Sequence, residues 1–284
     1  MQTDVAMKPG SIQAMLSALS QHWPEYLAEA AELGLFMISA CLFVALVEHP
    51  ASPVRQVLLD PLLRRALIGL AMGLTAIAIV HSPLGKRSGA HFNPAVTLTF
   101  FRLGKIEPWD AVFYIAAQFV GGVAGVAFAS LLLGQAVVAD PSVAYVATRP
   151  GEQGPGVAFA AEAALSFGLM LTVLSVSNVR SLNRFTALFA GCLVATYITL
   201  EAPISGTSMN PARTLGSALP GQIWTGLWIY FTAPLLGMLL AAEVYTRLKG
   251  RASVLCCKLH HDNGQRCIFR CGYGEPADAL SGER

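Results

Sequence analysis

Two short polar turns hold most of the groups in this chain that could do chemistry. Ser88-Gly89-Ala90-His91-Phe92-Asn93-Pro94-Ala95-Val96-Thr97-Leu98 returns as Ser205-Gly206-Thr207-Ser208-Met209-Asn210-Pro211-Ala212-Arg213-Thr214-Leu215. Ser, Gly, Asn, Pro, Ala, Thr and Leu recur at seven of eleven positions, 117 residues apart from Asn93 to Asn210. Asn is a strong helix cap, and Pro suits the first helical turn. Each Asn-Pro therefore predicts the tip of a short helix, with a carboxamide and free backbone amides pointing out of it. That chemistry is hydrogen-bond donation to a neutral acceptor. Arg213 adds a cation, which is costly at membrane depth unless it meets water or a partner. No nucleophile, base and orienting group come together, and His91 lies inside the first turn, so enzyme function has no support.

A second group sits in the tail, as Cys256-Cys257-Lys258-Leu259-His260-His261 and then Cys267-Ile268-Phe269-Arg270-Cys271. Four thiols and two imidazoles at short spacing could supply Cys2His2 or Cys3His ligation of Zn2+. Cys257, His261, Cys267 and Cys271 are the expected ligands, with Cys256 and His260 as alternates. A tail of spare thiols and lipidated cysteines are the other readings. Cys41 and Cys192 lie within apolar stretches and are expected only to pack.

The elements that must position the two turns are apolar helices. The chain has 284 residues, is 54% hydrophobic and only 13% charged, well below the charged share of a soluble domain. Windows at Leu33–Leu46, Ala66–Val80, Val112–Leu133, Ala158–Val176, Thr186–Leu200 and Ile223–Val244 read as six spans. The stretch Phe92–Phe101 is too short to cross. Each Asn-Pro turn thus predicts a half-helix, Pro94 to about Arg102 and Pro211 to about Leu219. Non-helical backbone at that depth is tolerated only inside protein or beside water.

The organisation follows. Residues 1–26 form a polar N-terminal segment, 27–133 a first half of three spans and a half-helix, and 134–155 a connector rich in Pro and Gly. Residues 156–249 form the second half and 250–284 the Cys/His tail. Three spans per half make the second copy enter from the opposite face, an inverted repeat. Gln118-Phe119-Val120-Gly121 matches Pro234-Leu235-Leu236-Gly237 in the same sense. Lys and Arg placement puts both termini in the cytoplasm and the connector outside, with Arg64-Arg65 as the pair against the trend. No cleavable signal peptide is seen near the start, and the net charge of +2 implies no nucleic-acid partner.

The paired Asn-Pro-Ala boxes, Asn93-Pro94-Ala95 and Asn210-Pro211-Ala212 with Arg213 after the second, resemble the aquaporin (major intrinsic protein) family over about residues 27–249. The resemblance implies an all-α membrane protein with six transmembrane helices, two re-entrant half-helices and an inverted repeat. It implies a passive channel for water, in a homotetramer in the cell (inner) membrane. Small neutral solutes such as glycerol, urea or an undissociated metalloid acid are the alternative cargo. No cofactor is required for conduction. The Asn93 and Asn210 amides would donate to a central water, whose protons then point away along the file, one to each side, and the helix tips would repel cations. Carbonyls of Gly89, Ala90 and His91, and of Gly206, Thr207 and Ser208, would form an acceptor ladder.

The resemblance also implies a narrow ring of Met72, Ile198, Thr207 and Arg213, where water-selective relatives place an aromatic and a His at the first two. Met72 and Ile198 depart from that pattern and predict a less polar, more adaptable wall. Thr214 stands where glycerol-conducting relatives usually carry Asp, whereas Tyr230-Phe231 looks like the pair typical of water channels. Glu162 is implied as support for the second re-entrant loop. Glu32 or Glu29 is implied for the first, with Glu32 taken first. A proton-coupled transporter would need a relay of ionisable groups beyond Glu162 and Glu32.

Overall fold

A computed structural model describes residues 11–273. Residues 1–10 of the N-terminal segment and 274–284 of the tail lie outside the described residues. The helices are α1 (Ile12–Glu48), α2 (Pro53–Val57), α3 (Pro61–His81), α4 (Pro83–Ser88), α5 (Pro94–Arg102) and α6 (Pro108–Leu133). They continue with α7 (Gln135–Ala139), α8 (Pro155–Ser177), α9 (Thr186–Ser205), α10 (Pro211–Gly221) and α11 (Leu227–Lys249). Six of them, α1, α3, α6, α8, α9 and α11, are long and apolar enough to cross a membrane. α5 and α10 are the two short helices announced by Asn-Pro. Proline opens α2, α3, α4, α5, α6, α8 and α10, where its missing N–H costs nothing.

Two boundaries differ from the sequence expectation. The N-terminal segment is continuous with the first span, because α1 runs unbroken through Pro24. Its early turns are held to the start of α6: Tyr26 Oη donates to Asp110 at 2.6 Å, and His22 Nδ1 lies 2.7 Å from the same oxygen. The last span starts at Leu227 rather than Ile223, because Gly226 adopts a left-handed backbone with φ 68° that no helix continues through. Arg64, which ran against the charge trend, is buried rather than extended to the surface. Its Nε donates to both Glu48 oxygens at 3.0 Å, and Nη1 to the Leu58 and Leu59 carbonyls.

Three helix pairs pack most extensively: α1 with α6, α8 with α11, and α3 with α9. The first two pairs use equivalent close approaches. A Cβ on Gly121 would stand 2.0 Å from the Ala30 carbonyl oxygen, and one on Gly237 would stand 2.2 Å from that of Ala163. These backbones touch because no side chain intervenes. Gly121→Val would force α6 off α1, a change no rotamer can absorb. The expected outcome is loss of monodisperse protein on size exclusion in detergent. Recovery at wild-type yield would mean that α1 and α6 pack with slack.

The connector is folded rather than open. α7 and a turn at Ala144–Val146 bury Val138, Val143 and Tyr145, and Ala144, Tyr145 and Val146 all take positive φ. Apolar residues such as Val120, Leu131, Leu200 and Leu236 remain exposed on the outside of the bundle, as a lipid-facing surface requires.

Candidate functional site

The two half-helices meet through their caps. Asn93 Oδ1 accepts the Ala95 amide at 2.9 Å, and Asn210 Oδ1 accepts the Ala212 and Arg213 amides at 3.0 and 3.1 Å. That leaves each carboxamide nitrogen facing away from its own helix. Asn93 Nδ2 donates to the Met209 carbonyl at 2.8 Å, and Asn210 Nδ2 to the Phe92 carbonyl at 2.7 Å. Each cap is thus pinned by the loop that leads into the other. One Nδ2 hydrogen per amide is used, and both asparagines line a cavity of about 330 Å3 with the second available to it.

The entering loops are alike in backbone. Gly89, Ala90 and Phe92 have φ of 98°, 59° and 31°, and Gly206, Thr207 and Met209 have 84°, 52° and 52°. Four of these are non-glycine residues in a sparsely allowed region, which costs of order 1–3 kcal/mol each and persists only where the surroundings impose it. Buried carboxylates do so. Glu162 accepts the Ser208 and Met209 amides, both at 2.6 Å, and the Ser205 hydroxyl at 2.7 Å. In the first half Glu29 accepts the His91 and Phe92 amides at 2.9 and 2.7 Å. Glu32, the first choice on the sequence, receives the Ser88 hydroxyl at 2.6 Å and no loop amide among the described residues. The α1–α6 register decides: it sets Glu29 beside the loop amides and beside Gln118 Nε2 at 2.7 Å.

Sequence reasoning missed three further supports. Tyr114 Oη donates to the Ser88 carbonyl at 2.7 Å and Tyr230 Oη to that of Ser205 at 2.6 Å, an equivalent pair from α6 and α11. Tyr230 is therefore fully buried behind the loop and is not part of the cavity wall. Glu201 accepts the Thr207 hydroxyl at 2.5 Å. Its only sequence signal was a lone acid closing an apolar span, six residues before Thr207.

Met72, Ile198, Thr207 and Arg213 all line the cavity. Arg213 Nη1 is buried and has no hydrogen-bond partner among the described residues. Thr214 faces away from the cavity, held by Thr148 Oγ1 at 2.9 Å and Ser208 Oγ at 2.5 Å. Of the acceptor ladder, Gly206, Thr207, Ser208 and His91 line the cavity, whereas Gly89 and Ala90 do not. The Gly89 carbonyl is taken by the Leu259 amide at 3.0 Å. The connector closes around the opposite end, where Val143, Val146 and Arg149 line the wall.

The tail brings Cys256, His261, Cys267 and Cys271 together, with one ligand atom from each within 4.8 Å of the others. Cys257 was the expected fourth ligand, but its Sγ points to the Lys105 carbonyl at 3.7 Å. Its own carbonyl is bonded by His91 Nε2 at 2.9 Å, and this turns the neighbouring Cys256 into the cluster. His260 is also outside it, with its ring against His81. Hydrogen bonds from Cys256 hold the Cys267 and Cys271 thiols below the usual thiol range.

The family model described as Major intrinsic protein matches residues 16–245. The chain is similar to a probable aquaporin NIP-type from Nicotiana alata, 36% identical over 185 residues that cover 64% of this chain and 65% of that one. It is 39% identical to Aquaporin NIP6-1 from Arabidopsis thaliana over 186 residues, 64% of this chain and 58% of the relative. The matched region thus spans a little under two thirds of the length of these relatives. Among solved structures, the X-ray structure of the aquaglyceroporin from Plasmodium falciparum has the same fold. Its TM-score is 0.67 at 20% identity, over 80% of this chain and 97% of that one.

Proposed function

The chain belongs to the major intrinsic protein family, and on that footing we propose that it is a passive membrane channel that conducts water and excludes protons and ions. The observation that carries this reading is the crosswise pinning of Asn93 and Asn210 at the cavity. A water there accepts from both free Nδ2 hydrogens and so directs its own protons outward, one to each side. It cannot accept a third bond along the file, which a proton wire requires. The positive ends of α5 and α10 add a barrier to cations. No part of this asks for a covalent step, and the chain works as a channel rather than an enzyme. Conduction calls for no cofactor; the Zn2+ proposed for the tail is structural.

We divide the chain into inverted repeats at 27–133 and 156–249, flanked by segments 1–26 and 250–284 and joined by 134–155. Both termini are placed in the cytoplasm and the protein in the cell membrane. The side of the tail is also the side of α4 and of the α5–α6 loop, since the Lys258 ammonium donates to the Lys86 carbonyl and the Arg270 amide to that of Lys105. Assembly as a homotetramer is part of the same reading, and mass measurement in detergent tests it.

Reconstitution in vesicles tests the function. Stopped-flow shrinkage should be fast, with no dissipation of an imposed pH gradient. Shrinkage no faster than that of protein-free vesicles, both for the whole chain and for the chain shortened to end at Lys249, would overturn it. Glycerol or another small neutral solute is a second cargo, favoured by the apolar side chains of Met72 and Ile198 in the cavity wall. Ile198→His narrows that wall and adds a polar group. It is expected to reduce glycerol uptake more than water flux, and unchanged glycerol uptake would remove Ile198 from the narrow ring.

A further inference from the structure

The tail does more than fold on the termini-side face. It lies across the cavity mouth, and the four Cys/His groups bracket the segments that touch it. Cys256 and His261 flank residues 257–260. Within that stretch the Cys257 carbonyl accepts His91 Nε2, the Leu259 amide donates to the Gly89 carbonyl, and the Leu259 side chain lines the cavity. Lys258 is buried and donates to the Lys86 and Arg266 carbonyls at 2.8 and 2.7 Å. Cys267 and Cys271 flank residues 268–270. There Phe269 stacks on His91 at 5.6 Å and Arg270 pairs with Glu107 at 2.6 Å.

The cluster has the donor set of a closed tetrahedral site and comes close to its size, needing shifts of about half an ångström to an ångström to reach regular edges. Zn–S bonds of about 2.3 Å and Zn–N bonds of about 2.0–2.1 Å give ligand-to-ligand edges of roughly 3.5–3.8 Å. Cys256 Sγ and Cys267 Sγ are 3.6 Å apart, and Cys271 Sγ and His261 Nε2 are 3.0 Å apart. The sulfur separation is far from a disulfide bond of about 2.05 Å. The Tyr273 amide points at Cys271 Sγ at 3.4 Å. Such a donor stabilises a thiolate bound to a metal. The His261 ring is fixed by stacking on Tyr273 at 4.3 Å.

We propose that Cys256, His261, Cys267 and Cys271 bind one Zn2+ and that this ion clasps the tail over the channel mouth, with Leu259 as the stopper. The inference rests on the channel and on the structural Zn2+ stated above, and adds that the metal regulates flow. With the clasp closed, an apolar side chain stands in the path, and the tail is anchored there by the Leu259 amide on the Gly89 carbonyl. Losing the ion removes the coordinate link between 256–261 and 267–271 and leaves both segments over the mouth held by hydrogen bonds and a ring contact alone.

The test uses the full chain. Protein purified from zinc-supplemented cells is assayed for metal by mass spectrometry, then reconstituted and measured for water permeability as isolated, after chelation, and after Zn2+ is returned. We expect about one zinc per chain, kept by Cys257→Ser and lost by Cys256→Ser and Cys267→Ser. Chelation should raise water permeability severalfold, reversibly. Leu259→Ala should reach the same raised level while keeping its zinc. Absence of bound zinc, or zinc kept by Cys256→Ser and lost by Cys257→Ser, overturns the site. Bound zinc with permeability indifferent both to chelation and to Leu259→Ala overturns the clasp. Vesicles no more permeable than protein-free ones in every state, Leu259→Ala included, overturn the channel reading and the clasp with it, while the zinc count stands independently.

Discussion

Glu162→Gln is expected to lower water permeability by at least about tenfold and to destabilise the protein, whereas its counterpart effect in the first half should follow Glu29→Gln and not Glu32→Gln. The Glu162 carboxylate serves three donors with two oxygens: the Ser208 and Met209 amides and the Ser205 hydroxyl. An amide side chain keeps one acceptor and turns the other into a donor aimed at a donor. A buried donor left unmade costs about 1–3 kcal/mol. The loop beside it holds Thr207 and Met209 at φ 52°, a conformation that needs external support. Relaxation there moves the Met209 carbonyl, and with it the partner of Asn93 Nδ2. A loss of about 1.4 kcal/mol in the conducting arrangement is already a factor of ten.

The comparison within α1 gives this prediction its edge. Glu29 meets two loop amides and Gln118, while Glu32 meets one hydroxyl that can rotate to another acceptor. Glu29→Gln should therefore match Glu162→Gln in both permeability and melting temperature. Glu32→Gln should keep most of each. Equal losses from the two α1 variants would show that the load on the first loop is shared, and would undo the assignment to Glu29.

That ambiguity shows where the sequence stops being informative. Positions 29 and 32 are three apart and share one face of a helix, so periodicity cannot separate them. The choice is made by the register of α1 against α6, which is set by contact at Gly121, some ninety residues away. Cys256 and Cys257 pose the same problem in miniature. Adjacent side chains point apart, and which one joins the cluster depends on where His91 captures the backbone. By contrast, the half-helices were legible because capping is local: Asn, Pro and the following apolar run carry their own geometry. The connector's fold and the tail's place at the mouth were not, because both arise from contacts between distant segments, such as Leu255 N with Asn178 Oδ1 at 2.7 Å.

Arg213→Val is expected to leave water permeability within about a factor of two while admitting protons, and to raise uptake of glycerol. Arg213 directly follows the second Asn-Pro-Ala box, and its Nη1 is buried at the cavity with no hydrogen-bond partner among the described residues. A unit charge about 6 Å from a cation in the file, at an effective dielectric constant of about 20, repels it by roughly 3 kcal/mol. That is about a hundredfold in passage rate. Water carries no net charge and feels little of this, so its barrier changes mainly through width. Glycerol gains from width directly, since Val is shorter than Arg and the cavity wall also holds the apolar Met72 and Ile198 side chains. The measurement is decay of a pH gradient in vesicles, alongside stopped-flow shrinkage in sucrose and in glycerol. On the proposed reading, proton exclusion has two separable sources, the crossed asparagines and the guanidinium. A variant as proton-tight as the wild type would assign all of it to the asparagines and the half-helix ends, and would leave Arg213 only the task of limiting size.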